Sequence, residues 1–291
     1  MSKKVLVTGN AGFIGSNLTK RLLELGYKVI GIDNFNDYYE PQRKEKNVAE
    51  FSNNSNFNQK RLDILDQGKL ELIFSQVRPE IVIHLAARAG VRPSLKDPEL
   101  YYQVNVVGTK NLLELAKKYQ VKQFILASSS SVYGNQTKIP FSETDRLDKP
   151  VSPYAETKLK AEALGREYSF PITVLRFFTV YGPKGRPDMA PYLFTKQILE
   201  GKTITRFGDG STSRDYTYID DIVEGIIAAI DRPQVYEIIN LGNNRPVKLN
   251  DFIAVIEKIT GKKADIQEQP RHPADVKQTY ADIAKAKKLL N

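Results

Sequence analysis

The segment that most constrains this chain lies at its start. Val5-Leu6-Val7 is a short apolar run, followed by Thr8-Gly9-Asn10-Ala11-Gly12-Phe13-Ile14-Gly15. Apolar residues then recur at Leu18, Leu22, Leu23 and Leu25, and Gly26 closes the pattern. Strand, glycine-rich turn and helix in that order make the first unit of a dinucleotide-binding α/β fold. Gly9 permits the tight turn, and Gly12 lets the main chain approach a pyrophosphate at the helix N-terminus. Gly15 lets helix and strand pack closely. Phe13 and Ile14 lie in the same cofactor-facing turn. A second strand, Val29–Ile32, ends in Asp33. A carboxylate there can accept the adenosine ribose hydroxyls and repels a 2′-phosphate, which favours NAD over NADP. Asn34 continues that edge.

The rest of the first half repeats the strand–helix alternation. Residues 34–55 are polar and read as a loop with a short helix. Phe57–Leu62 is a third strand, followed by Asp63 and Ile64. Asp63 can hydrogen-bond an adenine amino group or cap a helix, and both readings stay open here. Leu70–Phe74 lies on a helix. Ile81–Ala87 is a buried strand ending in Leu85, Ala86 and Ala87, small enough for a flat cofactor to pass over the sheet edge. His84 on it reads as a core residue. The loop Arg88–Ser94 leaves that strand at the carboxyl end, where such sheets bind ligands, so Arg92 and Ser94 are candidates for substrate contacts. A helix over Glu99–Tyr119 leads to a fifth strand, Phe124–Ala127, which delivers Ser128-Ser129-Ser130-Ser131 to the same edge. Ile172–Leu175 is a sixth strand. Short connections between alternating elements predict a doubly wound, Rossmann-type parallel sheet. After Gly182 prolines and glycines become frequent, which predicts a large domain over residues 1–182 and a smaller C-terminal lobe over 183–291, with some lobe segments returning to the sheet. Ile219–Ile230 and Asn250–Ile259 are its clearest helices, with Asn250 and Asp251 as N-terminal caps.

Composition removes several function classes. The chain of 291 residues has no cysteine, so disulfides, thiolate metal sites and a cysteine nucleophile are excluded. Its two histidines, His84 and His272, are too far apart in sequence to suggest a metal cluster. No apolar run reaches a membrane span, and Met1–Lys4 runs straight into a strand, so a cytoplasmic protein without a membrane partner is expected. The formal charge of +9 is spread along helical segments without aromatic interleaving, which argues against nucleic acid and for arginines that meet an anionic small molecule.

One further pattern carries chemistry. Tyr154 and Lys158 are four apart, hence on one helical face, and Ser152-Pro153 supplies an N-cap and a first-turn proline. A phenol of pKa ~10 is a poor base at neutral pH, and a neighbouring ammonium favours its ionised form.

In order, Thr8–Gly15, Ser128–Gly134, Tyr154-x-x-x-Lys158, Phe177–Gly182 and Arg214–Asp221 resemble the extended short-chain dehydrogenase/reductase family, specifically its nucleotide-sugar 4-epimerases. Asp33–Pro41 and Gly185–Ala190 are most similar to the UDP-glucuronate 4-epimerase branch. The resemblance implies an NAD-dependent isomerase of UDP-sugars. UDP-glucuronate is the preferred substrate, and UDP-glucose or UDP-N-acetylglucosamine the alternative. It makes Tyr154 the base at the sugar 4-hydroxyl, Lys158 the ribose ligand and Ser129 the hydroxyl that bridges to the 4-oxygen. Related dehydratases and decarboxylases carry acids where this chain has Ser130 and Ser131. These serines, with Thr179 and Arg186, are therefore expected to hold a sugar carboxylate. Arg214 matches the diphosphate arginine. A second phosphate arginine falls at Arg271, with His272 as the alternative. Asp275 is expected at the uridine ribose and Thr279 at a gate beside the sugar. The family also implies a homodimer through the helices at 99–119 and 154–168. Family members usually run a further helix beyond the point where this chain stops.

Overall fold

The computed structural model describes residues 3–147, 150–271 and 275–291. The first half runs β1 (Lys4–Thr8), α1 (Phe13–Glu24), β2 (Lys28–Asp33), α2 (Pro41–Ala49), β3 (Phe57–Arg61), α3 (Gln67–Val77) and β4 (Ile81–His84). Then come α4 (Val91–Lys96), α5 (Pro98–Tyr102), a π-helical turn over Gln103–Val107, α6 (Gly108–Lys118), β5 (Gln123–Ser129), α7 (Pro153–Arg166) and β6 (Ile172–Phe177). The remainder holds β7 (Thr179–Tyr181), α8 (Ala190–Leu199), β8 (Ile204–Phe207), β9 (Ser213–Tyr218), α9 (Ile219–Asp231), β10 (Tyr236–Leu241), β11 (Pro246–Lys248), α10 (Leu249–Thr260), β12 (Ile266–Gln269) and α11 (Ala284–Leu289).

Seven strands form one sheet in the order β10-β6-β5-β4-β1-β2-β3, and every pairing in it is parallel. This is the doubly wound Rossmann-type sheet. Its central strands β1, β4, β5 and β6 are nearly continuous buried runs because helices cover both faces. Val5, Val7, Ile83, Ile125 and Leu175 face α1 and α9, while Leu6, Val82, Phe124 and Val174 face α3 and α6. Each fully buried Leu or Phe of these layers contributes about 1.5–3 kcal/mol over an exposed one. The order reverses between β1 and β4, and a crevice for a ligand opens at the carboxyl ends there.

Two later elements rejoin this body. β10 pairs with β6 from Tyr236↔Ile172 to Leu241↔Phe177, and α9 packs against α1. The remaining segments make a three-stranded sheet, β11-β9-β7, and a parallel pair, β12-β8, with α8 and α10 around a separate apolar cluster of Phe194, Ile198, Ile253 and Ile256. Among the described residues no helix is long and apolar enough to cross a membrane.

Two local expectations change. The helix expected over 99–119 is interrupted by the π-helical turn, which aims Asn105 inward. The Asn105 amide accepts from Arg88 N at 2.8 Å and donates to Arg88 O at 3.0 Å and to Thr157 Oγ1 at 3.0 Å, holding the loop after β4. The residue before α10 is Lys248, which gives no side-chain cap, so Asn250 and Asp251 lie inside the first turn rather than capping it. Asn250 instead donates to Asp209 O at 3.0 Å and accepts from Arg206 at 2.9 Å, because the turn at Gly210 sits directly against it.

Candidate functional site

One cavity of about 540 Å³ runs along the carboxyl ends of the central strands. The turn at its nucleotide end is made of main chain. Gly9 has φ +72, and its N–H donates to Ile32 O at 2.7 Å. A Cβ on Gly9 would lie 2.7 Å from Ala86 N, and one on Gly15 only 2.0 Å from Gly9 O. Glycine is needed at both positions for β1, α1 and the β4 loop to approach. Gly12 caps α1 with no side-chain bond, and the first turn carries no acidic residue. The Gly12 N–H donates to Gly9 O at 3.1 Å, so the first-turn amides of Phe13 and Ile14 are the ones that face the cavity to meet an anion. This bare turn, with a carboxylate at the end of β2, fits a dinucleotide.

Asp33 is that carboxylate. It is 8% exposed, accepts from Phe35 N at 2.8 Å and Ala11 N at 3.3 Å, and lies 4.0 Å from Lys44 Nζ. Burial raises its pKa, against the pull of Lys44. Lys44 is itself buried, and desolvation lowers its pKa while Asp33 opposes the shift. Asn34 donates to Asp63 at 2.7 Å, and Asp63 accepts from Leu65 N at 2.9 Å. The cap of α3 is Asp66 rather than Asp63. Asn34, Asp63, Ile64, Leu85, Ala86 and Ala87 all line the cavity.

His84 explains how the β1 and β4 ends are held. Thr109 donates its hydroxyl proton to Asn105 O at 2.6 Å, so it accepts from His84 Nε2 at 3.0 Å. The other ring nitrogen, Nδ1, then accepts from Thr8 Oγ1 at 2.7 Å, and Thr8 accepts from Ala86 N at 3.2 Å. Burial drives the imidazole pKa down to about 3, so it is a neutral structural group.

At the other end lie Tyr154, Lys158 and the serine run. Ser152 caps α7 by accepting from Ala155 N at 3.2 Å, which places Tyr154 in the first turn. The tyrosine ring meets Tyr101 edge-on, with centroids 6.2 Å apart. Burial raises the Tyr154 pKa, while a hydrogen bond to Ser129 and the charge of Arg186 favour the phenolate. The helical spacing predicts that Lys158 does this. The structure instead sends its ammonium to Ala127 O at 2.8 Å, and burial lowers its pKa to about 8. Ser129 Oγ accepts from Ser131 N at 3.2 Å and Ser131 Oγ at 3.0 Å. Beneath it Ser128 donates to Glu162, which is clamped by Arg176 at 3.0 and 2.7 Å, and Arg176 continues to Tyr133 at 3.0 Å. This fully buried network fixes the strand end on which the serines stand.

Ser130, Ser131, Thr179, Arg186, Arg214, Asp275 and Thr279 share the cavity wall with this group. Thr279 Oγ1 accepts from Asp215 N at 3.0 Å. The Arg214 guanidinium donates to Ser213 O at 2.8 Å, and burial lowers its pKa, with Arg271 adding to that effect. Asp275 supplies part of its counter-charge, and an anion arriving there would add to it and relieve the desolvated cation.

Three of the expected substrate residues lie off this wall. Ser94 does not reach the cavity: it is fully buried, and its hydroxyl turns back to Val91 O of its own helical turn at 2.6 Å. Arg92 also lies off the wall, stacked on Phe207 at 3.9 Å and paired with Asp275 at 2.5 Å, which ties the β4 loop to the C-terminal segment. Arg271 is outside the wall too. The alternative to it, His272, lies outside the described residues. Sequence reasoning missed Lys44, Tyr38, Arg88 and Asp188, all of which line the cavity. Lys44 stands on α2 and the other three in loops that are recognisable in the sequence as segments, but nothing in the segments says which of their side chains turns inward.

Comparison with known proteins agrees with this geometry. A family model described as the NAD dependent epimerase/dehydratase family matches residues 5–242. A UDP-glucuronate 4-epimerase of Thermodesulfobacterium geofontis is 49% identical over 291 residues, spanning 98% of this chain and 90% of its own length. The crystal structure of UDP-glucuronic acid 4-epimerase from Bacillus cereus in complex with UDP-glucuronic acid and NAD is 43% identical, with a TM-score of 0.93 over 99% of this chain and 92% of that one. UDP-glucose 4-epimerase from Thermotoga maritima, solved with UDP-glucose, is 36% identical, with a TM-score of 0.88 over 98% and 91%. With a bare glycine turn, a β2 carboxylate and the Ser129–Tyr154–Lys158 group on one cavity, this chain belongs to the NAD dependent epimerase/dehydratase family.

Proposed function

We propose that this protein is an NAD-dependent UDP-sugar 4-epimerase that interconverts UDP-glucuronate and UDP-galacturonate. The observation that carries the reading is Arg186: a guanidinium close enough to Tyr154 to favour its phenolate, in a cavity wall shared with Ser129–Ser131 and with no acid in the serine run. Likeness to UDP-glucuronate 4-epimerases over nearly the whole chain supports it.

In this reading the α1 turn holds the pyrophosphate of the dinucleotide, Asp33 its adenosine ribose and Lys158 the nicotinamide ribose. Bound NAD supplies the acceptor, and then the donor, for the hydrogen at the sugar C4. Tyr154 takes the proton of the 4-hydroxyl and gives it back after the keto sugar has turned about its diphosphate linkage to present the other face. Ser129 hydrogen-bonds the 4-oxygen throughout. Arg214 grips the diphosphate as a fork. The 4-keto uronate is a β-keto acid prone to lose carbon dioxide. Ser130, Ser131, Thr179 and Arg186 hold its carboxylate with hydroxyls and a cation, and supply no acid to assist elimination. The chain is further read as a cytoplasmic homodimer paired through α6 and α7, which light scattering would check.

The test is to purify the protein, denature it and assay released NAD. In parallel the native protein is offered UDP-glucuronate, UDP-glucose and UDP-N-acetylglucosamine. Bound NAD and formation of UDP-galacturonate at the highest kcat/KM are expected. Isomerisation of UDP-glucose or UDP-N-acetylglucosamine with greater efficiency would replace the uronate reading. No isomer from any of the three would end the epimerase reading and leave an NAD-binding scaffold.

A further inference from the structure

We infer that Asp188 is the residue that aims Arg186 at the sugar carboxylate, and thereby sets the preference for a uronate over a neutral hexose. The inference rests on the reading of Arg186 proposed above.

The geometry around Arg186 is a clamp with one side left open. Its Nε donates to Asp188 Oδ1 at 3.0 Å and its Nη2 to Asp188 Oδ2 at 2.6 Å, a side-on fork on one edge of the guanidinium. The same Nη2 donates to the Tyr38 hydroxyl at 3.1 Å, and the guanidinium lies 5.1 Å from the Tyr38 ring centroid. Tyr38 is anchored in turn, donating to Ala89 O at 2.7 Å. Among the described residues Nη1 has no hydrogen-bond partner. The guanidinium is therefore fixed at its outer edge and on one face, with a pair of N–H donors to spare.

Two roles are open to an aspartate so placed. It could rival the substrate carboxylate for the guanidinium, or it could hold the guanidinium so that its free donors serve that carboxylate. Position decides for the second. While clamped by Asp188, Arg186 already acts electrostatically on the Tyr154 hydroxyl, the group that works at C4. A sugar carboxylate stands one carbon beyond C5, next to C4, so the clamped guanidinium need not swing to meet it. The side chain of Asp188 is 43% exposed against 18% for Arg186. Its charge is thus shared with water, and the more buried cation keeps attraction for a second anion.

The test compares Asp188→Asn, Arg186→Ala and the double variant with the wild type, each checked for a native melting transition. The readout is the ratio of dissociation constants for UDP-glucuronate and UDP-glucose on the NAD-loaded protein. The second readout is the fraction of UDP-glucuronate turnovers that release carbon dioxide and a UDP-pentose. Asp188→Asn keeps the shape but loses the charge and one acceptor. It should shift the ratio against UDP-glucuronate by about tenfold, the size of one charge-assisted bond, and raise the pentose fraction because the carboxylate is held less firmly. In the Arg186→Ala background it should add no further shift. A wild-type ratio, a ratio moved in favour of UDP-glucuronate, or an equal shift in both backgrounds would overturn the inference alone. A wild-type ratio in Arg186→Ala itself would sink the reading of Arg186, and this inference with it.

Discussion

At the pyrophosphate turn of the cavity the wall is main chain; at the sugar end it is side chains, some paired within one loop and some brought together from far apart in sequence. The first is steric. Positions 9 and 15 admit no Cβ, because Ala86 N and Gly9 O stand at 2.7 and 2.0 Å from where it would be. The second is a set of pairings: Arg186 with Asp188 and Tyr38, and Ser129 with Ser131. A main-chain site binds what every dinucleotide shares. A side-chain site can change its partner when one residue changes, while the sheet beneath it, fixed by the Glu162–Arg176 network, stays as it is. One scaffold of this kind can therefore hold a common cofactor and differ in the sugar it accepts.

Single substitutions separate the two ends. The largest effect is expected at the sugar end. Tyr154→Phe should lower kcat by about 10³-fold or more, since the proton acceptor is lost, yet the purified protein should release as much NAD on denaturation as the wild type. Loss of NAD along with activity would show that the two ends are not separable. Next comes the nucleotide end. Gly15→Ala must push α1 off the β1 turn, an overpacking that costs about 1–3 kcal/mol or more. Its melting temperature should fall by several degrees and its retained NAD should drop, read by calorimetry and by assay of the released cofactor. A wild-type melting point and NAD content would mean that the turn tolerates a Cβ, against its steric reading.

The smallest effect is electrostatic and concerns Lys158, which lies between the two ends. Its folded pKa is lowered by burial to about 8 from 10.5. Below the lower value the ammonium is charged in both folded and unfolded chains, and its burial opposes folding in full. From about pH 8 to about 10.5 the unfolded chain holds more protons than the folded one, so the contribution of Lys158 becomes more favourable as pH rises. The melting temperature of wild type relative to Lys158→Met, both without NAD, should therefore climb by a few degrees across that window. A flat or falling difference would mean that Lys158 is not buried as a cation in the unliganded protein.

The fold was legible because its signals are local. The strand–turn–helix at Val5–Glu24, the acid closing β2 and the alternation up to β6 each rest on residues within a few positions of one another. The same holds for Tyr154: Ser152, Pro153 and the four-residue spacing to Lys158 define one helix start. Where locality misled, the side chain had a nearer partner than the one expected of it. Ser94 satisfies its hydroxyl on its own helical turn, and Lys158 meets the carbonyl of Ala127 across the sheet edge. In sequence neither contact can be told from a free group, because each depends on which backbone atoms packing brings within reach.

The sequence by itself determined the parallel sheet, the glycine turn that admits a dinucleotide, the acid at Asp33, and the serines, tyrosine and lysine that meet at one edge. Backbone sterics and helical periodicity act over a few residues, and composition records them directly. Only the tertiary structure decided which charges face the cavity and which are already taken. Lys44 lies buried beside Asp33, Arg92 is held by Asp275 from 183 residues away, and Tyr38 closes on Arg186 across 148 residues. Ion pairs between loops follow from where the sheet carries its loop ends. The same charged side chain is solvated or clamped according to a neighbour that no local pattern names.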